Sequence, residues 1–214
     1  MPKGTDDWAK MAEWFGRMAR PAKEGDSPLF LRVKEMVDSH SVVLDVGAGA
    51  GRLALPLASR VGKVLAVESS PAMRSVLLSR IAEQGVDNVE VVGRRWPWVE
   101  LEQVDIAFCA NVVYDVADLA PLLLKMNQVA KRHCFIELTP RHPLDAFREL
   151  WQDFVGWTPP NGPTYLDMVA CLRQLGIEPG IEVRPSNRSL RFSNPKEAAA
   201  FYRDRLGLAE GTEV

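Results

Sequence analysis

Residues 42–52 read VVLDVGAGAGR. An aliphatic run reaches an acid, Asp45, and then Gly47, Gly49 and Gly51 fall at every second position. Glycine accepts tight turns and lets a ligand approach bare backbone. A strand that feeds such a turn, with a helix opening behind it, presents unpaired backbone N–H groups and partial positive charge at one edge of a sheet. In open α/β sheets, ligands bind at that edge, beyond the carboxyl ends of the strands. The stretch therefore predicts both a fold and a ligand site.

The surrounding chain agrees with it. Short apolar runs at 41–46, 63–69, 88–93, 104–111 and 133–139 read as strands, and helical patterns at 51–61, 71–85 and 119–131 fall between them. Pro71 marks a helix start and Gly85 a stop, while Pro56 reads as an early kink. The strands are almost wholly apolar rather than alternating, as in a parallel sheet covered on both faces. Strand and helix alternating over about 100 residues predict a doubly wound α/β fold. Before this core, 6–19 and 28–39 carry helical spacing. After it, helices are expected at about 143–155, 164–176 and 194–207, with 180–185 and 188–192 as an antiparallel edge hairpin. The expected organisation is a single domain: N-terminal helices over 1–39, a core over 40–139, a helical lid over 140–179, and a hairpin with helix over 180–214.

Glu68 ends the second strand, 21 positions after Gly47. An acid there accepts both hydroxyls of a ribose. Turn and acid together predict a nucleoside-containing cofactor. The dinucleotide fingerprint G-x-G-x-x-G requires a third glycine where this chain has Arg52, whose side chain hinders a pyrophosphate. Asp45 suits a cationic ligand better than a pyrophosphate.

VLDVGAGAGRLALPLA resembles the first motif of class I (Rossmann-like) S-adenosylmethionine-dependent methyltransferases. VLAVESSPAM (64–73) resembles their second motif, and VDIAFCANVVYDVADLAPLLLKM (104–126) their fourth-strand motif with the helix after it. The resemblance covers about residues 40–140 and implies a mostly parallel, seven-stranded sheet. It implies that Gly47, Ala48, Gly49 and Gly51 line the methionine part of S-adenosylmethionine and that Asp45 lies near its amino group. Glu68 would take the ribose, and Ser69 and Met73 would flank the adenine. Asn111 would face the methyl donor. Where the family often has an acid after the third strand, this chain reads Gly93-Arg94-Arg95-Trp96. That leaves adenine to backbone groups around Arg95 or to the Trp96 ring.

Methyl transfer from a sulfonium needs alignment more than acid–base help, and no catalytic residue stands out. Tyr114 and His142 are the candidates, Tyr114 with Asp115 on the loop above the fourth strand. The motif NVVY lacks the Asn-Pro-Pro-Tyr pattern that the family associates with amino methylation of bases or amides. Substrate contacts are expected from Trp14 (with Phe15) on the N-terminal helix, from Tyr114, and from Trp157 and Tyr165 in the lid. Trp151 and Phe154 read as packing. Arg184, Arg188 and Arg191 read as a solvated face.

Bulk properties bound the remaining classes. The 214 residues carry a net charge of −2, too little positive field to hold nucleic acid broadly. A small-molecule acceptor is therefore expected rather than a nucleic acid. The three widely spaced cysteines suit a reducing, cytoplasmic compartment. They show no metal-ligand spacing with the three histidines, and no apolar run is long enough to span a membrane. The expected activity is methyl transfer to an O, N or C nucleophile on a small or medium organic molecule. Three alternatives stand beside it: a cofactor-binding module without turnover, an NAD(P)-dependent oxidoreductase, and an RNA methyltransferase.

Overall fold

The computed structural model describes residues 27–140, 148–156, 162–185, 192–206 and 208. Helix α1 (Pro28–Lys34) starts where Ser27 caps it, the hydroxyl accepting from the Phe30 amide at 3.2 Å. It ends earlier than the expected residue 39. Asp38 accepts from the His40 amide at 3.0 Å and the Ser41 hydroxyl at 2.9 Å, and these local bonds compete with another helical turn.

Strand β1 (Val42–Val46) leads through the glycine turn to α2 (Ala54–Ala58), and β2 (Lys63–Val67) leads to α3 (Pro71–Gln84). Ser70 caps α3, and Gly85 ends it in the left-handed conformation at φ 62°. Strands β3 (Val89–Val92) and β4 (Val104–Ala110) follow, then a 3-10 turn at Val113–Asp115, α4 (Leu119–Val129) and β5 (Ala130–Glu137). Beyond them lie α5 (Arg148–Val155), α6 (Tyr165–Gln174) and α7 (Pro195–Leu206).

The sheet is parallel throughout, in the order β3-β2-β1-β4-β5. Chain direction across the sheet reverses between β1 and β4, which opens the crevice used by ligands in such folds. One apolar layer joins Val43, Val64, Ala66, Ile106 and Phe108 to α1, α2 and Leu77. The other joins Leu44, Val46, Leu65, Val67, Ala107 and Cys109 to α4, Trp96 and Met168. Successive strand residues thus face opposite layers, and both layers are filled. The expected doubly wound α/β class holds.

Three expectations need correction. The described sheet has five strands, not seven. Residues 180–185, expected as one arm of a hairpin, form no strand, and residues 188–191 of the other arm lie outside the described residues. Ile181 and Val183, which would anchor a strand face, are 57% and 83% exposed, so no burial drives pairing there. Finally, the helix expected over 51–61 is only Ala54–Ala58. Gly51 sits at φ 81°, outside helical backbone, and the start is delayed by a turn.

Candidate functional site

The site is built by strand alternation. Asp45 shares the face of Val43 on β1, and Glu68 extends the face of Val64 and Ala66 beyond β2. Glu137 follows Phe135 on the same face of β5. Three carboxylates therefore reach the same side of the sheet at its carboxyl edge. Around them runs the turn Gly47–Gly51.

Each glycine of the turn has positive φ: 74° at Gly47, 56° at Gly49 and 81° at Gly51. Their surroundings differ. A Cβ on Gly47 would lie 2.4 Å from Val112 Cγ2, and one on Gly51 would lie 2.6 Å from Leu77 Cδ1. Those two glycines let the turn pack on the fold. A Cβ on Gly49 would meet only Met73 Cε at 3.3 Å, so Gly49 borders open space rather than core. The Gly47 and Ala48 amides both donate to the Val67 carbonyl, at 2.8 and 3.1 Å, which holds the turn against the end of β2.

Glu68 is 8% exposed and spans turn and helix. One oxygen accepts from the Gly49 amide at 2.8 Å, the other from the Ser70 amide at 2.7 Å. Arg74 donates to the carbonyls of Glu68 and Ser69 at 3.1 and 2.8 Å and so stiffens the backbone behind the acid. Asp45 is buried. Desolvation pushes its carboxyl up to about 7, and the Glu68 charge adds to the rise. The Arg52 guanidinium and a hydrogen bond from the Ala54 amide oppose it. A buried acid held near neutrality in this way gains its charge when a cation arrives beside it.

Asn111 closes β4 at φ 59°, the only non-glycine with positive φ among the described residues. Its amide donates to the Glu137 carbonyl at 2.9 Å, and its side-chain nitrogen donates to Glu137 Oε1 at 3.2 Å. The same Oε1 accepts from Arg52 Nη2 at 2.9 Å, while Glu137 Oε2 accepts from the Ser27 hydroxyl at 3.4 Å. Tyr114 sits nearby on the 3-10 turn. Its hydroxyl pairs with Thr139 Oγ1 at 2.7 Å and accepts from the Thr139 amide at 2.6 Å.

Other candidates divide by position. Met73 is buried against Ala50, whereas Ser69 is exposed. Trp96 lies in the second apolar layer with its indole N–H donating to the Leu122 carbonyl at 3.2 Å, so that polar group is engaged by the core. Arg95 is exposed and lies 5.8 Å over the Trp98 ring, which is itself 71% exposed. Tyr165 opens α6 and is 41% exposed. Trp14, Phe15, His142 and Trp157 lie outside the described residues. Glu137 went unmarked in the sequence reading. Its signal was an acid ending the apolar run HCFIELT, in the same strand-terminal place as Glu68.

The donor set fits a cationic nucleoside. Glu68 has acceptor sites that would suit a diol, Asp45 would suit a positive centre, and Gly49 leaves the gap in which a Cβ would stand. Among the described residues no group of three or more His, Cys, Asp or Glu side chains could hold a metal ion.

Comparison with known proteins points the same way. Residues 43–133 match the family model described as "Methyltransferase domain". A Haemophilus influenzae protein called uncharacterized is 29% identical over 147 residues, covering 66% of this chain and 53% of that one. A probable ribosomal RNA small subunit methyltransferase A of Methanosphaera stadtmanae is 32% identical over 90 residues, covering 42% of this chain and 32% of that one. The chain thus spans about half or less of the length of these curated relatives. The crystal structure of an S-adenosylmethionine-dependent methyltransferase from Aquifex aeolicus superposes with a TM-score of 0.62 at 22% identity, over 79% of this chain and 90% of that one. The glycine turn, the acid beyond β2 and the 3-2-1-4-5 sheet agree with the methyltransferase-domain match over residues 43–133, and the chain shares the fold of the Aquifex S-adenosylmethionine-dependent methyltransferase.

Proposed function

We propose that this chain transfers a methyl group from S-adenosylmethionine to an O, N or C nucleophile on a small or medium organic acceptor. The observation that carries the reading is the Glu68 carboxylate. Each oxygen takes one backbone N–H, from Gly49 or Ser70, and each keeps a lone-pair site for one of two vicinal hydroxyls. The two amides also fix the acid in place before any ligand arrives.

When bound, S-adenosylmethionine supplies a sulfonium methyl with a good leaving group. The chain's own residues bind and align. Glu68 holds the ribose end, the turn around Gly49 lets the ligand lie against main chain, and Asp45 answers positive charge. Asn111, fixed by Glu137, borders the side from which an acceptor approaches. Alignment of this kind contributes on the order of 7–11 kcal/mol without a general base. A base is needed only for an acceptor that arrives protonated. Tyr114 is the described candidate, its hydroxyl already in a chain of hydrogen bonds with Thr139.

The segment from 140 to 179 is proposed to cover the acceptor, with Tyr165 at its exposed surface, and residues 1–214 to act as a single domain. An RNA acceptor is the second reading. It is favoured by the likeness to the Methanosphaera ribosomal RNA methyltransferase and by exposed Arg94, Arg95 and Trp98 beside the third strand. The net charge of −2 opposes it.

Calorimetric titration with S-adenosylmethionine, S-adenosylhomocysteine and NADH tests the cofactor. Binding of the two sulfur nucleosides without NADH is expected. NADH binding alone would transfer the site to redox chemistry.

A further inference from the structure

Glu137 neutralises Arg52 in a place where an uncovered cation would be costly. Arg52 follows Gly51 directly, so it leaves the turn at the end that packs against Leu55 and Leu77. Its guanidinium lies 2.9 Å from Glu137 Oε1, with the two side chains only 22% and 21% exposed. At that burial the pair is weakly screened and the partners do not swing freely into water. Asn111 and Ser27 hold the same carboxylate from two other segments, so Glu137 is fixed in its place by the fold. On the far side of the turn, Glu68 caps Gly49, and Asp45 sits beneath. Asp45 already feels the Arg52 charge. Taken together, the cradle has two acids facing it and one cation whose charge is cancelled by a third acid.

We propose that Glu137 sets the discrimination between the charged methyl donor and its spent product by masking Arg52. The inference rests on the S-adenosylmethionine reading above. At neutral pH the donor carries a sulfonium and an ammonium against one carboxylate, a net single positive charge. S-adenosylhomocysteine has lost the sulfonium charge and is net neutral. A site with Arg52 covered favours the donor. A site with Arg52 bare repels the donor and is nearly indifferent to the product. Glu137 acts on the ligand through Arg52, so it is a positioning residue. Its effect is a ratio of affinities rather than a general loss of binding.

The test is calorimetric affinity for S-adenosylmethionine and S-adenosylhomocysteine in four proteins: the wild type, Glu137→Gln, Arg52→Gln and the double variant. Glutamine keeps a carbonyl where Asn111 donates and places an NH2 that can donate to the Ser27 hydroxyl, but it removes the charge. Glu137→Gln is expected to weaken donor binding roughly tenfold, the effect of one unit charge acting across ~10 Å at an effective dielectric near ~20. Product affinity is expected to change less than about twofold, since a net neutral ligand feels little of that charge. The double variant should return the ratio toward the wild-type value, because no bare cation remains. Arg52→Gln alone should raise the ratio above wild type. That arm decides the matter if Glu137→Gln fails to fold. Equal weakening of both ligands in Glu137→Gln, or an unchanged ratio in Arg52→Gln, would reduce Glu137 to a scaffold residue and overturn the proposal while the cofactor reading stands. Failure of the wild type to bind either nucleoside would remove the cofactor reading, and this inference with it.

Discussion

At the scale of single residues, Asp45 is the clearest case of a group whose protonation the fold controls. Its folded value of about 7 lies well above the ordinary 3.8. Between those values the folded state keeps the proton that the unfolded chain releases. This carboxyl therefore costs nothing below the ordinary value. It destabilises the fold progressively as pH rises toward 7, by at most about 4 kcal/mol at ~1.4 kcal/mol per unit. Asp45→Asn should raise the melting temperature of the ligand-free protein at pH 8 and leave it little changed at pH 4. Thermal melts across that range check this, and a gain independent of pH would show that the carboxyl does not titrate as stated. Ligand affinity should run the other way. A cation beside Asp45 favours the ionised form, so donor binding should weaken about tenfold for each unit below pH 7. It should also release a proton, readable by calorimetry in buffers of different ionisation heat.

The glycines make a second residue-scale prediction because their surroundings differ. Gly47→Ala and Gly51→Ala drive a Cβ into Val112 and into Leu77 with Leu55. Both should lose several kcal/mol, as overpacking and left-handed strain add. Gly49→Ala meets only the flexible end of Met73 and should cost about 1 kcal/mol for its φ. Gly49→Val fills the open side of the cradle and should abolish nucleoside binding in a protein that still unfolds cooperatively. Paired melts and titrations separate the two kinds of glycine. Equal destabilisation at all three positions would contradict the packing.

At the scale of elements, the join between β4 and β5 shows how the edge of the sheet is held. Tyr114 leaves the 3-10 turn after β4 and its hydroxyl meets the Thr139 amide and hydroxyl beyond β5. Tyr114→Phe removes that tie at little change in volume. A loss of about 1 kcal/mol is expected, seen as roughly 2–4 °C in melting temperature for a chain of this size. If activity falls far more than stability, the hydroxyl acts on the acceptor as well. The element scale is also where the sequence was most readable. Apolar runs gave β1 to β4 within two residues, and Pro71 and Gly85 bracketed α3 because proline starts helices and left-handed glycine ends them. The run for β5 was placed three residues late, since Ala130 pairs with Val104 ahead of a register shift and the intervening Lys131 and Arg132 carry no apolar signal. Two helix lengths were overestimated for a common reason. Side-chain bonds of Asp38 and positive φ at Gly51 are local backbone events that helical spacing of apolar residues does not record. Glu137 was missed because its importance lies in Ser27, Arg52 and Asn111, partners from three other segments, and a one-dimensional reading scores each segment alone.

At the scale of the whole molecule, net charge argues the acceptor. The chain carries 26 basic and 28 acidic side chains. An enzyme that works on structured RNA gains most of its affinity from phosphate contacts, and each such contact makes binding fall with salt. Among the described residues, Arg94, Arg95 and the Trp98 ring offer a cationic, aromatic corner. One corner supplies two phosphate contacts at most. The log–log slope of RNA affinity against salt should then be no steeper than about −2, and affinity at ~150 mM salt no tighter than the ~10⁻⁴–10⁻⁶ M of non-specific binding. Fluorescence anisotropy with a structured ribosomal RNA fragment, from low to physiological salt, measures both. Arg94→Ala with Arg95→Ala should abolish what binding there is. A slope near −6 that survives the double substitution would mean that a larger basic surface has been overlooked. The acceptor would then be sought among RNAs, with the proposed donor role of the glycine cradle and its carboxylates untouched by that result.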